Sequence, residues 1–385
     1  MYLEAKQAEE NYSQTLHLMT DYPFPLWTDQ TNEPFIHPLA RSFLTDEQFD
    51  IIFLVLVYTV QISNIAAFIG NILNIAVFVK LGFSEPSNIS LISLAATDLA
   101  CVVFSLWTHL CILINFNDSI LPFNATNVSY ATTGGMFAFL TRTVAWITAF
   151  ITFERCLCIL VPLKVKTLIT QRSTLMAMII IVTLTFSPFF FIYSRYSFVW
   201  VFYPHLNATL LDLEVNNEEY FIQIETVLVV ICGVIQPILA MSIVLMCTVV
   251  LVIQLRKISS WRKFVTSAKG QRGENSGEKP ASSSPAGEER ISQKEERLVR
   301  MVVAIATIFI VSNAPTCITL LCNVVFDEFS LFGVNRRIYV ICSVIGVLGQ
   351  SVSGSVNILI YYNMASKFRF HLRRFLCLDR HEPEN

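Results

Sequence analysis

The chain has 385 residues, of which 54% are hydrophobic and only 15% charged, whereas soluble domains carry roughly 25% charged residues. That composition excludes an ordinary water-soluble globule and points to a protein whose solvent is lipid. A net charge of -2 gives no sign of a nucleic-acid partner, so charge is read through its distribution along the chain.

Residues 1–50 contain no basic leader followed by an apolar core and a small-residue cleavage site. They read as an N-terminal tail on the extracellular side, with the first span acting as its own insertion signal. A helix crossing a bilayer needs about 20 mostly apolar residues, because nothing in hydrocarbon satisfies a bare backbone. Seven stretches qualify: Ile51–Val79, Ile89–Ile114, Gly135–Val161, Thr174–Ser194, Ile224–Leu255, Leu298–Asn323 and Ile338–Tyr362. The fold class expected is therefore all-α, a seven-helix transmembrane bundle over residues 51–362. Between the fifth and sixth spans, residues 259–296 include GQRGENSGEKPASSSPAGEERISQKEE, whose Gly, Ser, Pro and Glu content predicts a disordered cytoplasmic loop. Residues 363–385 begin with the basic amphipathic stretch KFRFHLRRFL, predicted to form a short eighth helix along the membrane, palmitoylated at Cys377.

Basic residues set the orientation. With the N-terminus outside, Lys80, Lys164, Lys166, Arg172, Arg256, Lys257, Arg262, Lys263, Lys367, Arg369, Arg373 and Arg374 fall on the cytoplasmic side. Glycosylation acceptors agree: Asn11, Asn117, Asn124, Asn127 and Asn207 each begin an N-x-S/T triplet in a segment assigned outside, and Asn88 is the exception. The chain is expected in the plasma membrane with its C-terminus in the cytoplasm.

Charges at membrane depth cost about 2.5–3.5 kcal/mol each on insertion scales, so they face the bundle interior and carry function. Asp98, Arg142 and Glu225 are in that position, with Asn71, Asn74, Asn313, Gln350 and Asn357 as uncharged companions. Helix-to-helix hydrogen bonding accounts for the amides well and for Asp98 poorly. No phosphate-cradling glycine loop, His/Cys metal spacing or nucleophile, base and acid set occurs, so no catalytic residue, cofactor or metal site is expected.

In order along the chain stand Gly70-Asn71 in the first span, NISLISLAATDLA with Asp98 in the second, Glu154-Arg155-Cys156 closing the third with Pro162-Leu163 after it, Pro237 in the fifth, Phe309 six residues before Pro315 in the sixth, and NILIY, Asn357 to Tyr361, in the seventh with Phe368 beyond. This set resembles the rhodopsin-like (class A) G-protein-coupled receptors from the first span to the tail. The ERCLCILVPLKVKT run is most similar to mollusc-type chemosensory receptors and to FMRFamide-type peptide receptors. The resemblance implies a ligand-driven conformational switch, coupled to a heterotrimeric G protein, with no enzymatic step. Arg155 is a fixed cation with five donors. With Glu154 and with Glu295, twenty residues before Pro315, it forms a candidate latch; Asn71, Asp98, Phe309, Pro315, Ser353, Asn357 and Tyr361 form the implied activation network.

Departures from the family pattern bear on the ligand. No cysteine lies between Cys111 and Cys156 or between Cys158 and Cys232, so the disulfide that normally fixes the second outer loop cannot form. Asn313 stands in place of the sixth-helix tryptophan and Ile358 in place of the seventh-helix proline; Val144 replaces a serine of the family's sodium pocket. Phe137 occupies the place of the amine-binding aspartate, which argues against an amine, while Arg142 can take a ligand carboxylate or pair with Glu225. Phe137, Arg142, Glu225 and Asn313 are the ligand-pocket candidates. The outer segments are acidic through Asp212, Glu214, Glu218, Glu219, Asp327 and Glu328, which would attract a cationic peptide. The alternatives, a seven-span ligand-gated channel or a transporter, require respectively an inside N-terminus and repeated broken helices. Neither matches the charge pattern or the absence of internal symmetry.

Overall fold

A computed structural model describes residues 44–116, 121–204, 207–216, 218–273, 286–326, 328–330 and 333–376. Seven of the described helices are long and apolar enough to cross a membrane. They are α1 (Asp46–Leu81), α2 (Pro86–Phe116), α3 (Gly135–Leu160), α4 (Gln171–Tyr193), α5 (Gln236–Gly273), α6 (Ala286–Val325) and α7 (Arg336–Met364), followed by the short α8 (Ser366–Phe375). The expected all-α bundle is borne out.

Helix ends follow local chemistry. Thr45 and Gln48 form a reciprocal capping box at the start of α1, with the Thr45 hydroxyl accepting from the Gln48 amide at 3.3 Å, and Gly82 at φ 80° ends it, in a region favoured by glycine. Thr170 and Ser173 cap α4 in the same way. Along α1 the residues Ile51, Val55, Ile62, Ile65 and Ile69 are exposed, at helical spacing, and Phe53, Val57, Val60, Asn64 and Asn71 are buried. The exposed stripe is wholly apolar, as suits a lipid-facing side, while the buried face mixes apolar residues with the amides Asn64, Asn71 and Asn74.

Two of the spanning helices are reached through short leaders. Ala125–Ser129 and the π-helical turn Tyr130–Gly134 lead into α3; Glu219–Val229 and a second π turn, Val230–Ile235, lead into α5. Such turns re-aim a helix without breaking it. α1 packs on α2 and α7, and α3 is central, touching α2, α4, α5 and α6. α6 and α7 lie in close contact near Pro315: a Cβ on Gly349 would overlap the Ser312 carbonyl, and one on Gly346 the Thr316 hydroxyl. α8 is anchored through Phe368, fully buried, whose ring lies 5.2 Å from Phe78 and 5.4 Å from Tyr361.

At the opposite end of the bundle from α8, strands β1 (Tyr196–Tyr203) and β2 (Ala208–Val215) form an antiparallel hairpin. Also at that end, Arg337 of α7 bonds the Leu44 carbonyl at 2.7 Å and Asp46, which closes α7 onto the start of α1.

One expectation needs correction. The segment 259–296 is not wholly without regular structure: α5 runs on to Gly273 and α6 begins at Ala286, while 274–285 lie outside the described residues. Runs such as EERISQKEERLVR are rich in good helix formers, and Glu296 and Arg300, four residues apart, are ion-paired. Low hydrophobicity prevents a packed core there but does not prevent extension of a helix already nucleated by its apolar half.

Candidate functional site

The polar residues are arranged in tiers along the bundle. Near the α8 end, α3 carries Glu154 and Arg155 inward, with relative exposures of 2% and 8%. Arg155 Nη2 lies 2.7 Å from Glu154 Oε1 and also donates to the Ser87 hydroxyl. Ser87 donates to Glu154 Oε1 at 3.2 Å and Ser90 to Oε2 at 3.3 Å. These serines stand three apart on the first turn of α2, which places them on one face. A narrow crevice beside the pair is closed by Leu91, Ile151 and, from α6, Leu298, Met301 and Val302. The described face of α6 here is thus apolar. Glu295, the expected third member of the latch, lies on the same helix, and its side chain is outside the described residues. Ser87 and Ser90 were not expected; no local pattern distinguishes them from ordinary helix-start serines.

In the middle tier Asp98 is buried and accepts from Asn357 Nδ2 at 3.1 Å, joining α2 to α7. Asn71 turns its amide onto the Ala67 carbonyl at 3.0 Å, and Asn74 reaches Asn71 at 3.5 Å. A Cβ at Gly354 would lie 3.7 Å from the Asn71 amide nitrogen and 3.8 Å from the Asp98 carboxyl carbon, so this glycine lets α7 close onto both. Ser353, Phe309 and Tyr361 are buried. The structure therefore joins Asp98 to Asn357 directly, sets Asn71 near them beside Gly354, and places Tyr361 one layer below among Phe78 and Phe368. Pro315 lies within α6, and Asn313 directs its amide to the Phe309 carbonyl of its own helix at 2.9 Å.

A tier closer to the hairpin was missed. Asn64, fully buried, donates to the Ser105 hydroxyl at 2.9 Å and accepts from Ser351 at 2.7 Å, linking α1, α2 and α7. His109 Nδ1 lies 2.7 Å from the Ser105 carbonyl. The available signal was a polar amide in an otherwise apolar span, the same signal that drew attention to Asn71. Between this tier and Asp98 lies a small cavity lined by Asn64, Asp98, Cys101, Phe137, Gln350 and Ser351, which places Phe137 in its wall. The Gln350 carbonyl oxygen is buried with no hydrogen-bond partner. No cluster of three or more His, Cys, Asp or Glu groups suited to a metal occurs among the described residues.

Arg142 sits on α3 with its guanidinium carbon 4.8 Å from the centroid of the Phe139 ring, a cation–π contact. Glu225 is on the helix Glu219–Val229, but its side chain is outside the described residues, so the possible pair with Arg142 is not shown.

At the hairpin end Asp212 overturns one reading. It was expected among the outer acids but is fully buried, because Asn124, Asn127 and Tyr203 close over its carboxylate. Asn124 and Asn127, expected glycan acceptors, thus have their amides engaged. Asn207 is exposed at the hairpin turn with φ 46°, while Asn11, Asn117 and Cys377 lie outside the described residues. No described cysteine is on the hairpin, and none of the nine described cysteines is in a disulfide.

No curated protein matches the chain. The family model for the 7 transmembrane receptor (rhodopsin family) matches residues 70–352, well over half of the sequence. Seven spanning helices, an acidic residue and arginine paired at the end of the third, and that match together establish that the chain belongs to the rhodopsin family of seven-transmembrane receptors.

Proposed function

We propose that this receptor sits in the plasma membrane with its N-terminus and hairpin outside, binds an extracellular chemosensory cue or neuropeptide, and passes the signal to a heterotrimeric G protein at the Arg155 end. The observation that carries this reading is the buried Glu154–Arg155 pair, held from α2 by Ser87 and Ser90 and roofed by the apolar face of α6. In such an arrangement the guanidinium is occupied while α6 is close. Displacing α6 admits water and weakens the pair, since a water-exposed ion pair contributes only about 0–1 kcal/mol. A ligand that binds the open form better shifts the population toward it.

Glu295, on the turn of α6 before Leu298, would reinforce the closed state as the third member of the latch. Asn71, Asp98, Phe309, Pro315, Ser353, Asn357 and Tyr361 would relay the change. Phe137, Arg142, Glu225 and Asn313 remain the ligand-pocket candidates, with Cys377 as a palmitoylation site. Arg142, which lies over Phe139, is the group suited to a ligand carboxylate.

The test is guanine-nucleotide exchange on co-expressed G proteins without added ligand. Glu154→Gln is expected to raise basal exchange and Arg155→Ala to abolish it at unchanged surface expression. Exchange that survives in Arg155→Ala overturns the reading.

A further inference from the structure

We infer that Asp212 is the tie that fixes the second outer loop to the head of α3 where the disulfide is missing, and that this role leaves Asn207 as the glycan acceptor among the described outer asparagines. The second half rests on the orientation proposed above. A carboxylate without solvent is costly unless its oxygens are hydrogen-bonded, and here both are. Oδ1 accepts from Asn127 Nδ2 at 2.8 Å and from the Leu213 amide at 2.7 Å; Oδ2 accepts from Asn124 Nδ2 at 3.3 Å and from the Tyr203 hydroxyl. All four partners are neutral donors, so the shell suits an anion and offers a cation nothing.

The donors come from three separate stretches: the leader into α3, β1 and β2. One side chain therefore joins both strands of the hairpin to the third helix. Main-chain bonds from Asn124 to the Leu211 carbonyl at 2.8 Å and from Leu211 to the Pro122 carbonyl at 3.1 Å seat the same contact.

Glycosylation replaces a hydrogen on an asparagine Nδ2 with a sugar. Asn124 uses its Nδ2 toward Tyr203 and Asp212 and its Oδ1 to accept from the Asn127 amide at 3.2 Å. Asn127 Nδ2 abuts a carboxylate that solvent does not reach. A sugar on either nitrogen would sit against the sealed acid. Asn207, exposed at the hairpin turn, has room for one.

Two measurements test this on the full chain in nanodiscs and in cells. The melting midpoint of the wild type is expected to be the same with and without dithiothreitol. Asp212→Ala should melt at least ~4 °C lower and Tyr203→Phe slightly lower, the latter serving where the former does not fold. A wild-type midpoint that falls on reduction, or variants that melt like wild type, overturns the tie. In an Asn11→Gln/Asn117→Gln background, an endoglycosidase mobility shift should report one sugar. That sugar should be lost in Asn207→Gln and retained in Thr126→Ala/Ser129→Ala, which removes two sequons while keeping both amides. Sugar at Asn124 or Asn127, or no sugar at all, overturns the acceptor assignment. Sugar at Asn88 overturns the orientation instead, with the tie judged separately by the melting result.

Discussion

Asp212 at the hairpin end and Glu154 at the other are both carboxylates with almost no access to water, yet their partners differ in kind. Asp212 is surrounded by two amides, a phenol and a backbone N–H, the amides on short side chains and the N–H on the main chain itself. Glu154 is held by two serines and by a guanidinium on a long, rotatable stem. Neutral donors locked in place make a joint; a mobile cation makes a joint that can be undone. The difference teaches that burial alone does not identify a switch, and that the flexibility and charge of the partner decide it.

The comparison is broken most severely by Arg155→Ala, which should reduce basal and stimulated nucleotide exchange to background while surface staining stays normal. Next comes Asp98→Ala, which leaves the Asn357 amide buried without its acceptor. A loss of about 1–3 kcal/mol in stability is expected from the unpaired group, measured by thermal or chemical unfolding, and Asn357→Ala in the same background should add much less than it does alone. Ser87→Ala removes contacts to both members of the ion pair. If these are worth about 1.4 kcal/mol in the resting form, basal exchange rises about tenfold. Ser90→Ala removes one contact, and an increase of about threefold is expected from a bond of ~0.5–1 kcal/mol. Equal effects of the two serines would show that Ser87 does not bridge the pair. The smallest effect should be Glu214→Gln, on the exposed face of the hairpin, with no measurable change in melting midpoint.

Much of the bundle was legible because a membrane imposes a length rule: every span found in the sequence lies largely within a helix, with ends displaced by a few residues or by leader turns. Asp98 and Asn357 were readable for the same reason, as polar groups that hydrocarbon does not tolerate without a partner. Asn64 carried that signal too and was passed over, since nothing local says which amide finds Ser105 and Ser351. Asp212 was misread as a solvated loop acid because its partners lie 85 and 88 residues earlier in the chain, and such pairing is a product of the fold. Ser87 and Ser90 were silent, being ordinary residues at a helix start. The helical flanks of 259–296 were hidden by composition, which reports the lack of a core and not the reach of a neighbouring helix.

The tight seam between Gly349 and the Ser312 carbonyl has a mechanical corollary. A contact with no room for a methyl group acts as a fulcrum. Leu298 lies roughly 14 residues along α6 from Ser312, a lever arm of about 21 Å at 1.5 Å per residue, so a tilt of about 10° about that seam carries Leu298 about 4 Å sideways. The pivot point need hardly move for the far tip to swing clear, and fattening the pivot with Gly349→Ala would jam the hinge rather than the tip.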